Sequence, residues 1–197
     1  YLAIRRGPMK LPTVGTQVYN AIARTGTGAT ATVAGVGFPP DLLVCKGRSP
    51  NGYHHAFADR LRGNRDCLSS DFATEGGGGI VSYDMTGVTL ASDSFSPYYN
   101  ATGSQFINHF FRRYPGVFDE VCYTGTGDAL NVSHNLGVVP ELIIVKHRNA
   151  ADNWAVYAGD ATDYTILNTT AATADDPAWW NDTAPTASVF TVHSDHA

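Results

Sequence analysis

Lys46 and Arg48 stand two residues apart at the end of PPDLLVCKGR (residues 39–48), and Lys146 and Arg148 repeat the arrangement in VPELIIVKHR (residues 139–148). Side chains alternate along a strand, so each basic pair points to one side. Such a pair can bind an anion. It can equally pair with Asp or Glu on neighbouring strands and mark where a core ends, and its presence in both runs favours that structural use. Elsewhere His54 and His55 are adjacent, HSDH occupies residues 193–196, and Cys45, Cys67 and Cys122 lie far apart. None of these has the spacing of a metal-ligand set. No nucleophile elbow, Walker loop, HExxH helix or CxxC pair is present. The carboxylates that recur at matching places are Asp41 with Glu141 and Asp93 with Asp195. Glycoside hydrolysis needs a carboxylate pair at a fixed separation across a cleft, which a sequence does not display.

TGTG at residues 25–28 and again at 124–127 resembles a phosphate cradle only superficially, because no helix follows it. It reads as a hairpin loop whose glycines tolerate positive φ. The aromatic residues are more suggestive. Tyr98, Tyr99, Trp179 and Trp180 lie in loop-like surroundings with Asn and Asp, where exposed rings beside amides can hold a sugar. The alternative is that Trp179 and Trp180 cap a core, where a buried aromatic contributes on the order of 2–3 kcal/mol. Asn-x-Ser/Thr triplets begin at Asn100, Asn131, Asn168 and Asn181, as chance supplies in a Ser/Thr-rich chain. They carry sugar only in a eukaryotic secretory setting.

The positions of these residues are set by a duplication. VYNAIARTGTG (18–28) matches VFDEVCYTGTG (117–127), and GFPPDLLVCKGRS (37–49) matches GVVPELIIVKHRN (137–149). HHAFAD (54–59) then matches NWAVYA (153–158), CLSSDFAT (67–74) matches ILNTTAAT (166–173), and VTLASD (88–93) matches FTVHSD (190–195). The blocks are collinear and displaced by roughly 100 residues, the signature of a repeated unit. The duplication places Cys45 where the other copy has Val145, Cys67 where it has Ile166, and Cys122 where it has Ala23. A small hydrophobe in a strand core is the favoured reading of all three, with a nucleophile or metal ligand as the alternative.

Within each copy short runs rich in Val, Ile, Leu, Phe and Tyr alternate with Gly, Asn, Asp, Ser and Thr, so the expected fold is all-β: two tandem β-sandwich-like repeats of about 100 residues. The apolar run at residues 142–145 predicts a central strand buried on both faces. HAFADRLRG (55–63) allows a helical turn, with Phe57 and Leu61 four apart, and is read as a loop-like connection. The first repeat spans residues 17–116 and the second 117–197. The first continues through SFSPYYNATGSQFINHFFRR (94–113), whereas the second has no such closing strand. YLAIRR (1–6) resembles the tail of that segment, FFRR (110–113). Residues 1–16 are therefore expected to be the end of a preceding unit in a longer chain, or a strand completing a neighbour.

Composition removes several classes. With 43% apolar and 16% charged residues the chain has material for a folded core. It carries 18 Asp and Glu against 13 Lys and Arg and no long basic run, so nucleic acid is a poor partner. No apolar stretch approaches the ~20 residues that cross a bilayer, and the amino end lacks the pattern of a signal peptide.

The segments LNTTAATADDPAWWNDTAPTASVFTV (167–192), PELIIVKHRNAADNWAVY (140–157) and YNATGSQFINHFF (99–111) resemble a repeat domain of uncharacterised function found in virion proteins of tailed bacteriophages. The resemblance covers nearly all of residues 17–197. In that family the unit commonly occurs in tandem within tail-fibre-like or other structural proteins. The first copy departs from the pattern, with EGGGGI (75–80) where the second has its Trp-rich loop. The resemblance implies a non-enzymatic virion structural protein, most simply a tail-fibre or host-adhesion segment, without cofactors. Its expected partners are other virion proteins, copies of itself and a host surface glycan, and its location the particle surface. The alternatives it leaves open are a capsid decoration or head-fibre protein and a glycan-cleaving tailspike domain.

Overall fold

The computed structural model describes residues 12–49, 53–64, 75–92 and 97–193, and of residues 65–68 the backbone. The chain is all-β, built of antiparallel sheets with, among the described residues, two α-helices of four residues each and one 3-10 turn at Gly15–Gln17. The first half begins with β1 (Tyr19–Thr25), β2 (Ala31–Val33), β3 (Leu42–Ser49), β4 (Ala56–Asp59) and β5 (Arg65–Leu68). It continues with β6 (Gly76–Gly77), β7 (Ile80–Tyr83), β8 (Val88–Leu90), α1 (Pro97–Asn100) and β9 (Gln105–Phe111). One sheet has the order β1-β9-β3-β4-β5-β6 and the other β2-β8-β7. Their inner faces share one core, with Leu43, Cys45, Phe106 and Phe110 from the first sheet against Val33, Ile80, Val88 and Leu90 from the second.

The second half holds β10 (Leu130–Ser133), β11 (Ile143–Lys146), β12 (Trp154–Tyr157) and β13 (Asp163–Ile166), followed by β14 (Ala174–Asp175), α2 (Pro177–Trp180) and β15 (Val189–Val192). Its sheets run β11-β12-β13-β14 and β10-β15 around a core of Val132, Val145, Tyr157, Trp180, Phe190 and Val192. Registers run alike in the two halves: Val33 pairs with Val88 as Val132 does with Phe190, and Cys45 with Ala56 as Val145 does with Ala155. Where the first half has β7, the second has α2. That helix is specified locally by Asp176, whose side chain accepts from the Ala178 N–H, by Pro177 in its first turn, and by Asn181, which closes it at φ 54°.

Alternation of side chains explains β9. Phe106, Asn108 and Phe110 point inward and are fully buried, while His109 and Phe111 meet Tyr19 on the other face. Being flanked by β1 and β3, β9 is the middle of its sheet on that side.

Four sequence expectations need correction. HAFAD is not a loop-like connection: Ala56 and Ala58 are fully buried in β4, which lies between β3 and β5, and two alanines hid an inward-facing strand row. TGTG is not a hairpin loop. It joins β1, which pairs with β9, to β2, which pairs with β8 in the other sheet, while Gly28 does adopt φ 74° and Gly127 φ 84°. The run at residues 142–145 is not buried on both faces: Leu142 is 59% and Ile144 40% exposed, because β11 pairs only with β12 among the described residues. The cysteines also differ from one another, since Cys45 is buried and Cys122, like Ala23, is exposed. By register Leu68, not Cys67, stands where the second half has Ile166.

Candidate functional site

The four aromatic candidates part company. Tyr99 and Trp180 are fully buried, one in each core, so neither presents a face to a sugar. Trp179 is half-buried and stacks on Tyr164 with centroids 4.0 Å apart and planes 6° from parallel. Tyr98 is half-buried against the first core, packed edge-on to Tyr53 and parallel to His54. Tyr98 and Trp179 therefore belong to different halves.

Tyr98 leads, through His54, to a polar depression in the surface. A shallow pocket of about 320 Å³ has Lys46, His54 and His55 on one wall and Asn168, Thr169 and Thr170 on the other. The first wall is built by the end of β3 and the residues before β4, the second by the turn after β13. Burial holds the His55 imidazole below its ordinary pKa, with help from Lys46, His109 and His54, so it is neutral at neutral pH. Lys46 donates to the Tyr53 carbonyl at the rim. The Asn168 amide is committed to structure, accepting from the Trp154 N–H at 3.0 Å and donating to Asn153 Oδ1 at 2.9 Å. What faces the pocket is a lysine beside imidazoles and threonine hydroxyls, a lining that can hydrogen-bond a small polar group. The adjacent histidines signalled one wall in the sequence; the other wall lies over a hundred residues away.

The second basic pair serves structure. Lys146 donates to the Asp152 carbonyl at 2.9 Å, and Arg148 forms two hydrogen bonds to Glu75 at 3.0 and 3.1 Å. Glu75 also lies 3.8 Å from Arg62, so one carboxylate joins cations of both halves. Beside it Phe57 lies on Trp154 at 4.7 Å, and Phe111 on Phe118 at 5.4 Å. Arg113 holds Asp119 at 2.7 Å, while its N–H donates to Asp41.

A group that sequence reading passed over sits in this junction. Glu120 is pushed up to about 8 by burial, then by Asp59 and Asp41, against the opposing pull of Arg113 and Arg62. Its Oε2 and the Tyr83 hydroxyl are both buried without hydrogen-bond partners. Burial, with Asp59 and Glu120 adding to it, also raises the Tyr83 phenol. Only the acid type of Glu120 was visible in the sequence; its neighbours come from the residue before β3, from β4, from the turn after β4 and from the segment after β9. Cys45 is no nucleophile, since burial pushes its thiol up to about 12 despite the nearby Arg24 guanidinium. Of HSDH, only His193 is within the described residues.

The fold and these contacts define an all-β protein whose two cores are joined by an ionic and aromatic seam. The chain matches the DUF7483 family, a domain of unknown function, over residues 15–197, and belongs to it. No curated protein matches the chain, and no solved structure does.

Proposed function

We propose that the chain is a duplicated, non-enzymatic structural module of a tailed-bacteriophage virion, serving in a tail fibre or other host-adhesion part. The seam between the halves carries this reading. Arg62, Glu75 and Arg148 form one ionic group across it, flanked by Phe57 on Trp154, so charged and aromatic side chains hold two β units together. A stalk or adhesin must pass load from unit to unit, and side chains shared between units do that without a cofactor. The matching order of β3-β4-β5-β6 and β11-β12-β13-β14, with like registers, supports the duplication. The polar pocket beside Tyr98 is the surface best suited to touch a host glycan.

The test is placement. Antibody against the chain should decorate the tails of phage particles from the source culture in negative-stain electron microscopy. Label on the capsid would transfer the module to head decoration, and particles without label would overturn the virion reading. Release of new reducing ends from host polysaccharide by the purified chain would overturn its non-enzymatic character.

A further inference from the structure

The segment that leads into the second half sends side chains to both halves. Between Phe118 and Tyr123 alternate residues face opposite ways. Val121 and Tyr123 pack on the second core, whereas Phe118 lies on Phe111 of β9 and Glu120 faces Asp41, Asp59, Arg62 and Arg113 of the first half. Glu120 is thus a carboxyl of the second half set against the first.

The cations of this junction already serve other carboxylates. Arg62 pairs with Asp59 and lies 3.8 Å from Glu75, while Arg113 holds Asp119 at 2.7 Å. Arg60 reaches Asp41 at 3.5 Å, and Arg148 reaches Glu75 at 3.0 Å. Among the described residues, four guanidinium groups therefore meet four carboxylates, and Glu120 is a fifth. Its Oε2 is buried without a hydrogen-bond partner, and so is the hydroxyl of Tyr83, which feels Glu120 from β7. As a neutral acid Glu120 adds nothing to the charge of the junction. Once ionised it adds a negative charge beside Asp59 and Asp41, which outweigh the pull of Arg113 and Arg62.

We infer that Glu120 is a proton latch between the halves, closing the seam while its carboxyl is protonated and parting it on ionisation. The sign follows from the two environments. In the closed seam the carboxyl keeps its proton up to about 8, whereas a parted seam returns it to water and to its ordinary 4.5. Between these values the parted form has released a proton that the closed form still holds. Each unit of rising pH therefore favours parting by about tenfold, and the gain levels off above about 8. Little has to break. Phe57 leaves Trp154, Glu75 leaves Arg148, and the Glu75 N–H gives up the Arg148 carbonyl, which it bonds across the seam at 2.8 Å. Both cores keep their own sheets. The polar pocket has Lys46, His54 and His55 in one half and Thr169 and Thr170 in the other, so the same proton sets the spacing of its walls.

The inference does not depend on where the module sits in a particle. Hydrogen exchange of the full chain, corrected for the pH dependence of the chemical step, should separate the Glu75 amide from those of β9 and β12. Glu75 should open at least about tenfold more often than the two strands, and that opening should grow about tenfold per unit from about pH 5 to about pH 8. In Glu120→Gln the opening should be rarer and independent of pH. The carbon-13 shift of the Glu120 carboxyl in the unsubstituted chain supplies a second readout, which should titrate well above 4.5. A midpoint at 4.5 would mean that the carboxyl is solvated in the closed seam, and overturns the latch. Protection at Glu75 equal to that in β9 and β12 at every pH would show that the halves part only on unfolding. Growth of the opening with pH that persists in the glutamine variant would assign the proton to another group. Either result also overturns it.

Discussion

Asn100 is fully buried at the end of α1 and bonds on both sides of its amide. Oδ1 accepts from Arg24 at 2.9 Å and from the Thr27 N–H at 3.0 Å, while Nδ2 donates to Thr27 Oγ1 and the Ala29 carbonyl. One side chain therefore fixes the loop that carries the chain from β1 to β2. Asn100→Ala should cost about 1–3 kcal/mol in urea denaturation, because the Arg24 and Thr27 donors, part-buried at these bonds, would lose their acceptor. In the sequence this residue stood out only as the start of an Asn-x-Thr triplet, since its partners lie more than seventy residues away. Glu120 makes the complementary case. Its carboxyl rises from an ordinary 4.5 to about 8 on folding, so the folded chain binds a proton that the unfolded chain has released. The stability contributed by that proton is full below about 4.5 and declines as pH rises toward 8. Glu120→Gln should flatten that decline and stabilise the chain above pH 8 by on the order of 2–4 kcal/mol, read from denaturation at several pH values. An unchanged pH profile in the variant would mean that Glu120 is ionised and solvated at neutral pH.

Among the elements, α2 is a single helical turn whose importance is packing. Trp180 fills the second core at 1% exposure, against Tyr157, whereas Trp179 lies on the surface of Tyr164. Trp180→Ala should destabilise by about 3–5 kcal/mol, and Trp179→Ala by about 1 kcal/mol, in thermal unfolding followed by tryptophan fluorescence. Equal losses would show that both rings are core. WW by itself could not assign the two roles, because the turn that points them apart is set by Asp176 and Asn181. The all-β character was legible in the short alternating runs, and β9 shows why: its buried Phe106, Asn108 and Phe110 fall on every second residue. β4 was obscured because Phe57 and Leu61 mimic a helical spacing while alanines carry its buried row. β3 and β11 have equivalent apolar runs, yet among the described residues β3 is paired on both sides and β11 on one. Neighbour strands make that difference, and a strand's own residues do not encode them. The polar pocket was half visible for the same reason, as its threonine wall arrives from the turn after β13.

At the scale of the molecule the seam couples two cores that each have their own sheets. Arg148 is 45% exposed, so its pair with Glu75 contributes little, about 0–1 kcal/mol, and the aromatic contacts of Phe57 on Trp154 and Phe111 on Phe118 carry much of the coupling. Phe57→Ala combined with Glu75→Gln should split the calorimetric unfolding of the chain into two transitions, whereas Glu75→Gln alone should leave one. Retention of a single transition in the double variant would place the coupling in the backbone linkage at residues 112–119. The arrangement of β9 bears on how the chain is made. It is the last strand of its half to be synthesised and the one between β1 and β3, with Tyr19 and Leu42 both opposite Phe111. Through most of its synthesis the nascent first half holds two apolar strand edges apart with nothing to join them, and sequence-distant pairing of this kind forms slowly. The growing polypeptide is therefore most prone to sticking to its neighbours just before residue 111 emerges, and a ribosome pause beyond that point would let it seal.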